Sequence, residues 1–190
     1  MTKDDVITLP NAHLRERSKK VGIVSAEIKA LIAAMEAATL DWEANREHEV
    51  GVALAAVQVD VPLRIVVIRN DFDNKDDKTF AVFINPTITK YEGEVQEDYE
   101  GCLSVPDIYG RVRRHSKVRI RALDENGREI RATAKGFLAR VFQHEIDHTN
   151  GIVFIDHIKN NPEAFFKLRE DGHLEKLDYE KNIRDNRILW

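Results

Sequence analysis

The sequence predicts an α+β fold in which strands come first and a chemistry-bearing helix follows. Two runs, "LRIVVIRN" (63–70) and "FAVFINPTI" (80–88), are rich in β-branched and aromatic residues and read as buried strands. "KVRIRALDENGREIRATA" (117–134) alternates apolar and basic residues around "DENG", the signature of a hairpin. Helical spacing then returns at Phe137, Leu138, Val141, Phe142 and Ile146, with Gly151 as the stop.

Earlier in the chain, Ser25 is placed to cap a helix over 26–46. Its buried face runs through Ile28, Leu31, Ile32, Met35, Thr39 and Trp42 at spacings of three and four. "EANREHE" (43–49) reads as a polar exit from that helix. "GVALAAVQVDVP" (51–62) is small-residue-rich and too irregular for a helix, and "DFDNKDDKT" (71–79) is a charged loop. Asn161-Pro162-Glu163 carries the marks of a helix start, so a C-terminal helix is expected over a charged tail, 159–190, broken near Gly172. No repeat or linker interrupts the 190 residues, which suit one domain.

The charge of −4, from 29 basic and 33 acidic side chains, gives no basis for wrapping nucleic acid. The basic run "RVRRHSKVRIR" (111–121) alternates with Val112, Val118 and Ile120, and reads as a strand with one solvated face. No apolar run approaches a membrane span, and the start has no secretory pattern. The single cysteine, Cys102, suits a reducing cytoplasm or an organellar matrix descended from one.

"FQHEIDHTNG" (142–151) carries the chemistry. His144 and His148 are four apart and share one helical face, so both imidazoles can meet one metal ion. Glu145, about 100° around the helix from His144, is poorly placed as a ligand but can reach a water there as general base. Gln143 and Asp147 would either orient the imidazoles or simply be solvated. Two side chains hold a catalytic metal weakly, so a third ligand decides the chemistry. Zinc proteases of one class place a third histidine where this chain has Phe154, with His157 out of register. Another class takes a later glutamate, for which Glu163, Glu170 and Glu175 are available in no recognisable motif. Cys102 in "YEGCLSVP" (99–106) is the remaining candidate, since a thiolate with two imidazoles suits zinc or ferrous iron in an open site. Taken alone, a free cysteine is more often a small buried hydrophobe.

"GVALAAVQ" (51–58), "EGCLS" (100–104) and "QHEIDH" (143–148), in this order, resemble the three signature motifs of peptide deformylases. The resemblance spans about residues 6–158 and implies a central metal-binding helix enclosed by antiparallel sheets. It implies removal of the formyl group from N-formylmethionine on newly made polypeptides, with formate released. By motif, Cys102, His144 and His148 would hold the metal, usually Fe²⁺ and replaceable by Zn²⁺, Ni²⁺ or Co²⁺. Glu145 would move the proton, and the Gln58 amide and Leu103 backbone N–H would steady the oxyanion. Gly51, Val52, Ala53, Glu100 and Gly101 would contact substrate. The partners implied are nascent formyl-Met chains, with ribosome proximity suiting that substrate and no membrane or nucleic-acid binding. A zinc protease and a non-catalytic metal-binding homologue are the rival readings. The chain departs from the motif at Ala53, where the family has glycine, and at Asp60, where it tends to have glycine. Ala53 is expected to crowd the substrate groove, and Asp60 to tolerate a left-handed turn.

Overall fold

The computed structural model describes residues 1–186 and 188. Ser25 caps the first helix, α1 (Ala26–Ala44), its hydroxyl accepting the Ile28 N–H at 3.4 Å. Ile32, Met35, Ala38, Thr39 and Trp42 are buried along one face. The helix does not trail off into a solvated exit. Glu43 is buried and accepts from the Gly51 N–H at 2.9 Å and from the Arg69 guanidinium. An unpaired carboxylate could not be buried there, and the two donors offset its desolvation.

"GVALAAVQ" resolves into a short strand, β1 (Ala53–Ala55), and a 3₁₀ turn over Ala56–Val59. Asp60 ends that turn at φ 61°, the left-handed conformation expected of it. β1 pairs antiparallel with β2 (Ile65–Arg69), which pairs with β3 (Phe80–Cys102). β3 runs beside β4 (Val105–Leu123), and β5 (Glu129–Lys135) closes the expected hairpin around 124–128. β6 (Phe165–Leu168) and β7 (Leu174–Lys176) complete one antiparallel seven-stranded network.

β3 extends far beyond the 80–88 predicted. Register shifts between Ile84/Thr87, Ile88/Lys90, Glu92/Val95 and Glu100/Cys102 let so long a ribbon bend rather than stay flat. β4 accordingly pairs β5 through Lys117–Leu123 and β6 through Ile108–Gly110.

β1 and β2 are buried on both faces, which explains their apolar runs. Leu54, Ile65 and Val67 pack with Ile32, Met35 and Ala38 of α1. Ala53, Ala55, Val66 and Ile68 pack instead with Ala139, Val141 and Phe142 of the second helix, α2 (Gly136–His148). α2 contacts β4, β1, β5 and β3, so the metal-motif helix is enclosed by sheet as the resemblance implied. Gly151 follows it at φ 77°, where an added Cβ would lie 2.3 Å from the Arg15 carbonyl. Only glycine fits that turn.

Among the described residues the expected C-terminal helix is not formed, and positions 187, 189 and 190 of that tail lie outside them. Asn161-Pro162-Glu163 starts only a 3₁₀ turn over Pro162–Ala164, and the chain then enters β6. Phe165 and Phe166 are buried, and pairing Phe165 with Gly110 seats the strand on β4. Tertiary burial of that aromatic pair outweighs the local helix-start signal. Gly172, at φ 81°, turns β6 into β7, and a single π-helical turn, Glu180–Arg184, follows.

Candidate metal centre

α2 delivers His144 and His148 from one face, and the last residue of β3 delivers Cys102 opposite them. Cys102 pairs with Val105, so the β3–β4 connection turns within Leu103 and Ser104. The Cys102 Sγ lies 3.3 Å from Nε2 of His148, and the two Nε2 atoms lie 3.2 Å apart. The three donor atoms lie within 4.8 Å of one another. Phe154 does not join them as a polar group. Its ring stacks on His144 with centroids 6.0 Å apart and walls the site.

Behind the site stands a buried charge network. Glu100 Oε2 is 3.0 Å from His144 Nδ1, which assigns the imidazole proton to Nδ1 and leaves the Nε2 lone pair free to ligate. Arg114 donates to both Glu100 oxygens at 2.9 and 3.0 Å, and Arg140 donates to Oε1 at 2.8 Å. Burial pushes the Glu100 carboxyl up, but His144 and Arg114 outweigh it and hold the group well below the usual carboxylate range. Burial opposes the charged form of His144, and its contacts with Cys102 and Glu100 raise it nonetheless. His148 is driven down by burial first and by the neighbouring His144 second.

Glu145 is 4 % exposed, and its Oε2 has no hydrogen-bond partner among the described residues. Burial lifts its carboxyl to about 7, moderated by His144. Gln58 is fully enclosed. Its Oε1 accepts the Ala55 N–H at 2.9 Å, which turns the NH₂ toward Ser104 Oγ at 3.1 Å and Cys102 Sγ at 3.5 Å. These groups line a cavity of about 190 Å³ shared with Val52, Ala53, Gly101, Leu103 and Val141.

A thiol and two imidazoles with free lone pairs form a donor set that fits a zinc-like or ferrous ion. The orphaned Glu145 oxygen beside that set is an acceptor with no donor among the described residues, as expected of a group that faces a reacting molecule.

Several predicted placements are revised. Glu100 was expected to contact substrate. Although it borders the cavity, both its oxygens are committed to His144, Arg114 and Arg140. Gln143 clamps the His115 backbone at 2.8 and 3.1 Å, and Asp147 pairs with Arg114 and His157, so neither touches a ligand imidazole. Gly51 does not line the cavity. An added Cβ would sit 2.7 Å from the Thr39 carbonyl, so its smallness serves packing on α1. Arg114 is only 6 % exposed, which corrects the reading of 111–121 as basic side chains over a solvated face. The inward parity of Val112, Arg114, Val118 and Ile120 was the signal for it. Arg140, Glu49 and Tyr109 also line the cavity without having been singled out, as does Trp42, which the sequence marks only as part of the buried face of α1.

The sequence pattern of polypeptide deformylases matches residues 3–163. A peptide deformylase of Psychrobacter cryohalolentis is 43% identical over 154 residues, covering 80% of this chain and 78% of the relative. One from Aquifex aeolicus is 41% identical over 157 residues, covering 82% and 87%. The crystal structure of a peptide deformylase from Synechococcus elongatus, in complex with actinonin, matches with a TM-score of 0.74 at 34% identity, covering 82% of this chain and 80% of that one. With a motif helix inside an antiparallel sheet, a Cys/His/His donor set and relatives of this similarity, the chain belongs to the polypeptide deformylase family, metal-dependent hydrolases that remove the formyl group from newly made polypeptides.

Proposed function

We infer that Glu145, Gln58 and Leu103 carry out the family's reaction here, the hydrolysis of the formyl amide of N-formylmethionine to formate and a free amine. The observation that carries this is the unpartnered, buried Glu145 carboxyl beside the three converging donors. Cys102, His144 and His148 would hold a divalent ion, which when bound would supply Lewis acidity and a nucleophile usable at neutral pH. With its carboxyl near 7, Glu145 can take a proton from the attacking water and return it to the nitrogen as the C–N bond breaks. The Gln58 NH₂, aimed by the Ala55 N–H, and the Leu103 backbone N–H are donors for the developing oxyanion. Val52, Ala53 and Gly101 line the way for the peptide.

We assign Fe²⁺ as the native ion, replaceable by Zn²⁺, Ni²⁺ or Co²⁺, because thiolate with imidazole suits these soft and borderline ions. The chain acts as one catalytic domain over 1–190, a reading supported by the pairing of β6 on β4. Its partners are nascent formyl-Met chains close to the ribosome, in a bacterial cytoplasm or, alternatively, an organellar matrix. No helix among the described residues is long and apolar enough to cross a membrane. The test is formate release from a formyl-Met peptide by protein purified without oxygen and loaded with Fe²⁺ or Ni²⁺. Absence of formate with full metal content would favour the non-catalytic homologue.

A further inference from the structure

The part of the sheet that packs on α2 has a second face, turned away from the metal centre. Val118, Ile120 and Ala134 point inward and pack with Ala139, Val141 and Phe142 of α2. Alternation along β4 and β5 therefore turns Lys117, Arg119, Arg121, Arg131 and Lys135 to the opposite side. Arg119, Arg121, Arg131 and Lys135 are exposed there, and Lys117 is half-buried.

The charges on this face work against the sheet that carries them. Lys117 stands directly opposite Lys135, and Arg121 directly opposite Arg131. Like charges so paired repel and destabilise an antiparallel ladder. The neighbouring acids do not balance them. Glu92 of β3 is shared by Lys90 at 3.3 Å, Lys117 at 3.5 Å and Arg119 at 2.7 Å, and Glu129 accepts from Arg131 of its own strand at 3.0 Å. Asp124, at the turn of the hairpin, is committed to the Asn126 and Arg128 N–H groups. Arg121 and Lys135 have no carboxylate partner among the described residues. Six cations thus share two carboxylates on a chain whose net charge is −4, and that average over the whole chain conceals the face.

We propose that this outer face of β3, β4 and β5 binds the phosphate backbone of a single strand of RNA. Outward side chains recur about every 6.8 Å along a strand, and neighbouring strands lie about 4.8 Å apart, so the cations form a regular grid. A phosphate seated between Lys117 and Lys135, or between Arg121 and Arg131, turns a repulsive pair into two attractive contacts. Thr87 and Thr89 of β3, beside these cations, donate their hydroxyls to the Arg121 and Arg119 carbonyls at 3.3 and 3.1 Å, and so present lone pairs outward. A ribose 2′-OH can donate to them and a deoxyribose cannot, which favours RNA over DNA. None of the exposed large apolar side chains lies within 117–123 or 129–135, so the face has nothing to insert into a lipid layer. Contacts of this kind are indifferent to base sequence.

Fluorescence anisotropy of a labelled oligouridine, titrated with the metal-loaded full chain, tests this. Binding should be weak, with Kd on the order of 10⁻⁴–10⁻⁶ M at physiological salt, and log affinity should fall against log salt with a slope of about −2, as for three phosphates on a single strand. Arg121→Glu combined with Lys135→Glu sets opposite charges directly across the ladder. That variant should bind at least about tenfold more weakly with a slope near zero, because it removes the contacts that release counterions. It should nevertheless unfold at no lower denaturant concentration than the wild type, since both repulsive pairs are relieved. Formate release should be unchanged, because neither residue lines the cavity. Damage to the fold would instead lower binding and stability together. A deoxyuridine oligomer of the same length should bind a few-fold more weakly. Binding that ignores salt, unaltered affinity in the double variant, or equal affinity for the deoxy oligomer overturns the proposal. Capture of the protein by phosphatidylserine vesicles without binding of the oligouridine overturns it as well, in favour of a membrane.

Discussion

Oε2 of Glu100 stands 3.0 Å from Nδ1 of His144, while both arginines beneath it, Arg114 and Arg140, are less than a tenth exposed. One carboxylate therefore orients a metal-ligating imidazole and accepts from two buried cations, of which Arg114 is also paired with Asp147. Glu100→Gln should keep the fold but weaken metal retention about 10–100-fold, the usual range when such a support is lost. Glu100→Ala should in addition cost on the order of 3–5 kcal/mol of stability, because it strands buried charge. Competition with a chelator reads the first effect, and denaturant unfolding the second. Metal dissociation unchanged in both variants would reduce Glu100 to a packing residue.

Glu145 is set apart from the ligands by geometry. It is absent from the converging donor group although it neighbours His144 in sequence. Glu145→Gln should leave metal content at one equivalent while kcat falls by roughly 10²–10⁴-fold, the worth of general acid–base catalysis. Cys102→Ala should do the reverse in its first effect, losing stoichiometric metal. Metal analysis beside a formate assay distinguishes the two, and a Glu145→Gln protein that loses its metal would make Glu145 a ligand after all.

The raised Glu145 carboxyl also carries a pH signature in protein stripped of metal. Its folded value, about 7, lies above the ordinary glutamate value of 4.5, so between these pH values the folded state holds the proton more tightly than the unfolded state. Stability from this group is complete below about 4.5 and is lost as pH rises through about 7, by an amount on the order of 3 kcal/mol. Chelator-treated wild type should lose more stability between pH 5 and 7.5 than Glu145→Gln does. Parallel stability curves for the two proteins would contradict the burial that raises this group.

The donors were legible because spacing alone puts His144 and His148 on one helical face, and the motif around Cys102 named their partner. The supporting network was harder to read. Arg114 sits among basic residues whose neighbours are solvated, and only its parity with Val112 and Val118 betrays an inward side chain. The extent of β3 was hidden for a related reason, since most side chains over 89–99 are exposed and the stretch lacks an apolar run. The C-terminal tail misled because Asn161-Pro162-Glu163 is a local signal. The partner that overrides it, Gly110, lies some fifty residues earlier, and an added Cβ there would lie 2.4 Å from the Ile158 side chain and 2.9 Å from the Phe154 ring.

Arg64 gives a purely structural test of how α2 is held. It is 7 % exposed and donates from Nη2 to the Pro86 carbonyl at 3.0 Å, and from Nη1 to the Asn150 side chain at 3.0 Å and the Thr149 carbonyl at 3.4 Å. A cation on the carbonyls that end a helix is favourable to its dipole. Arg64→Met should keep the stem's packing yet lower stability by about 1–3 kcal/mol through unsatisfied acceptors. Denaturant unfolding measures it, and an unchanged midpoint would show that water replaces the guanidinium without cost.

Ala53 separates binding from packing. It lies in β1 opposite Ile68, is 6 % exposed, packs into the core beneath α2, and lines the cavity. Ala53→Gly therefore acts in two places. In the strand, loss of the methyl should cost roughly 0.5–1 kcal/mol through added backbone freedom. In the cavity, it removes the atom that separates this chain from the glycine of the family motif. If the methyl crowds the peptide, KM for a formyl-Met peptide should fall a few-fold with kcat unchanged, because docking alters while Glu145 and the donors do not. The two effects are read independently, one by unfolding and one by kinetics at saturating metal. A lower stability with no change in KM would mean that the methyl belongs to the core and that the peptide passes it without contact.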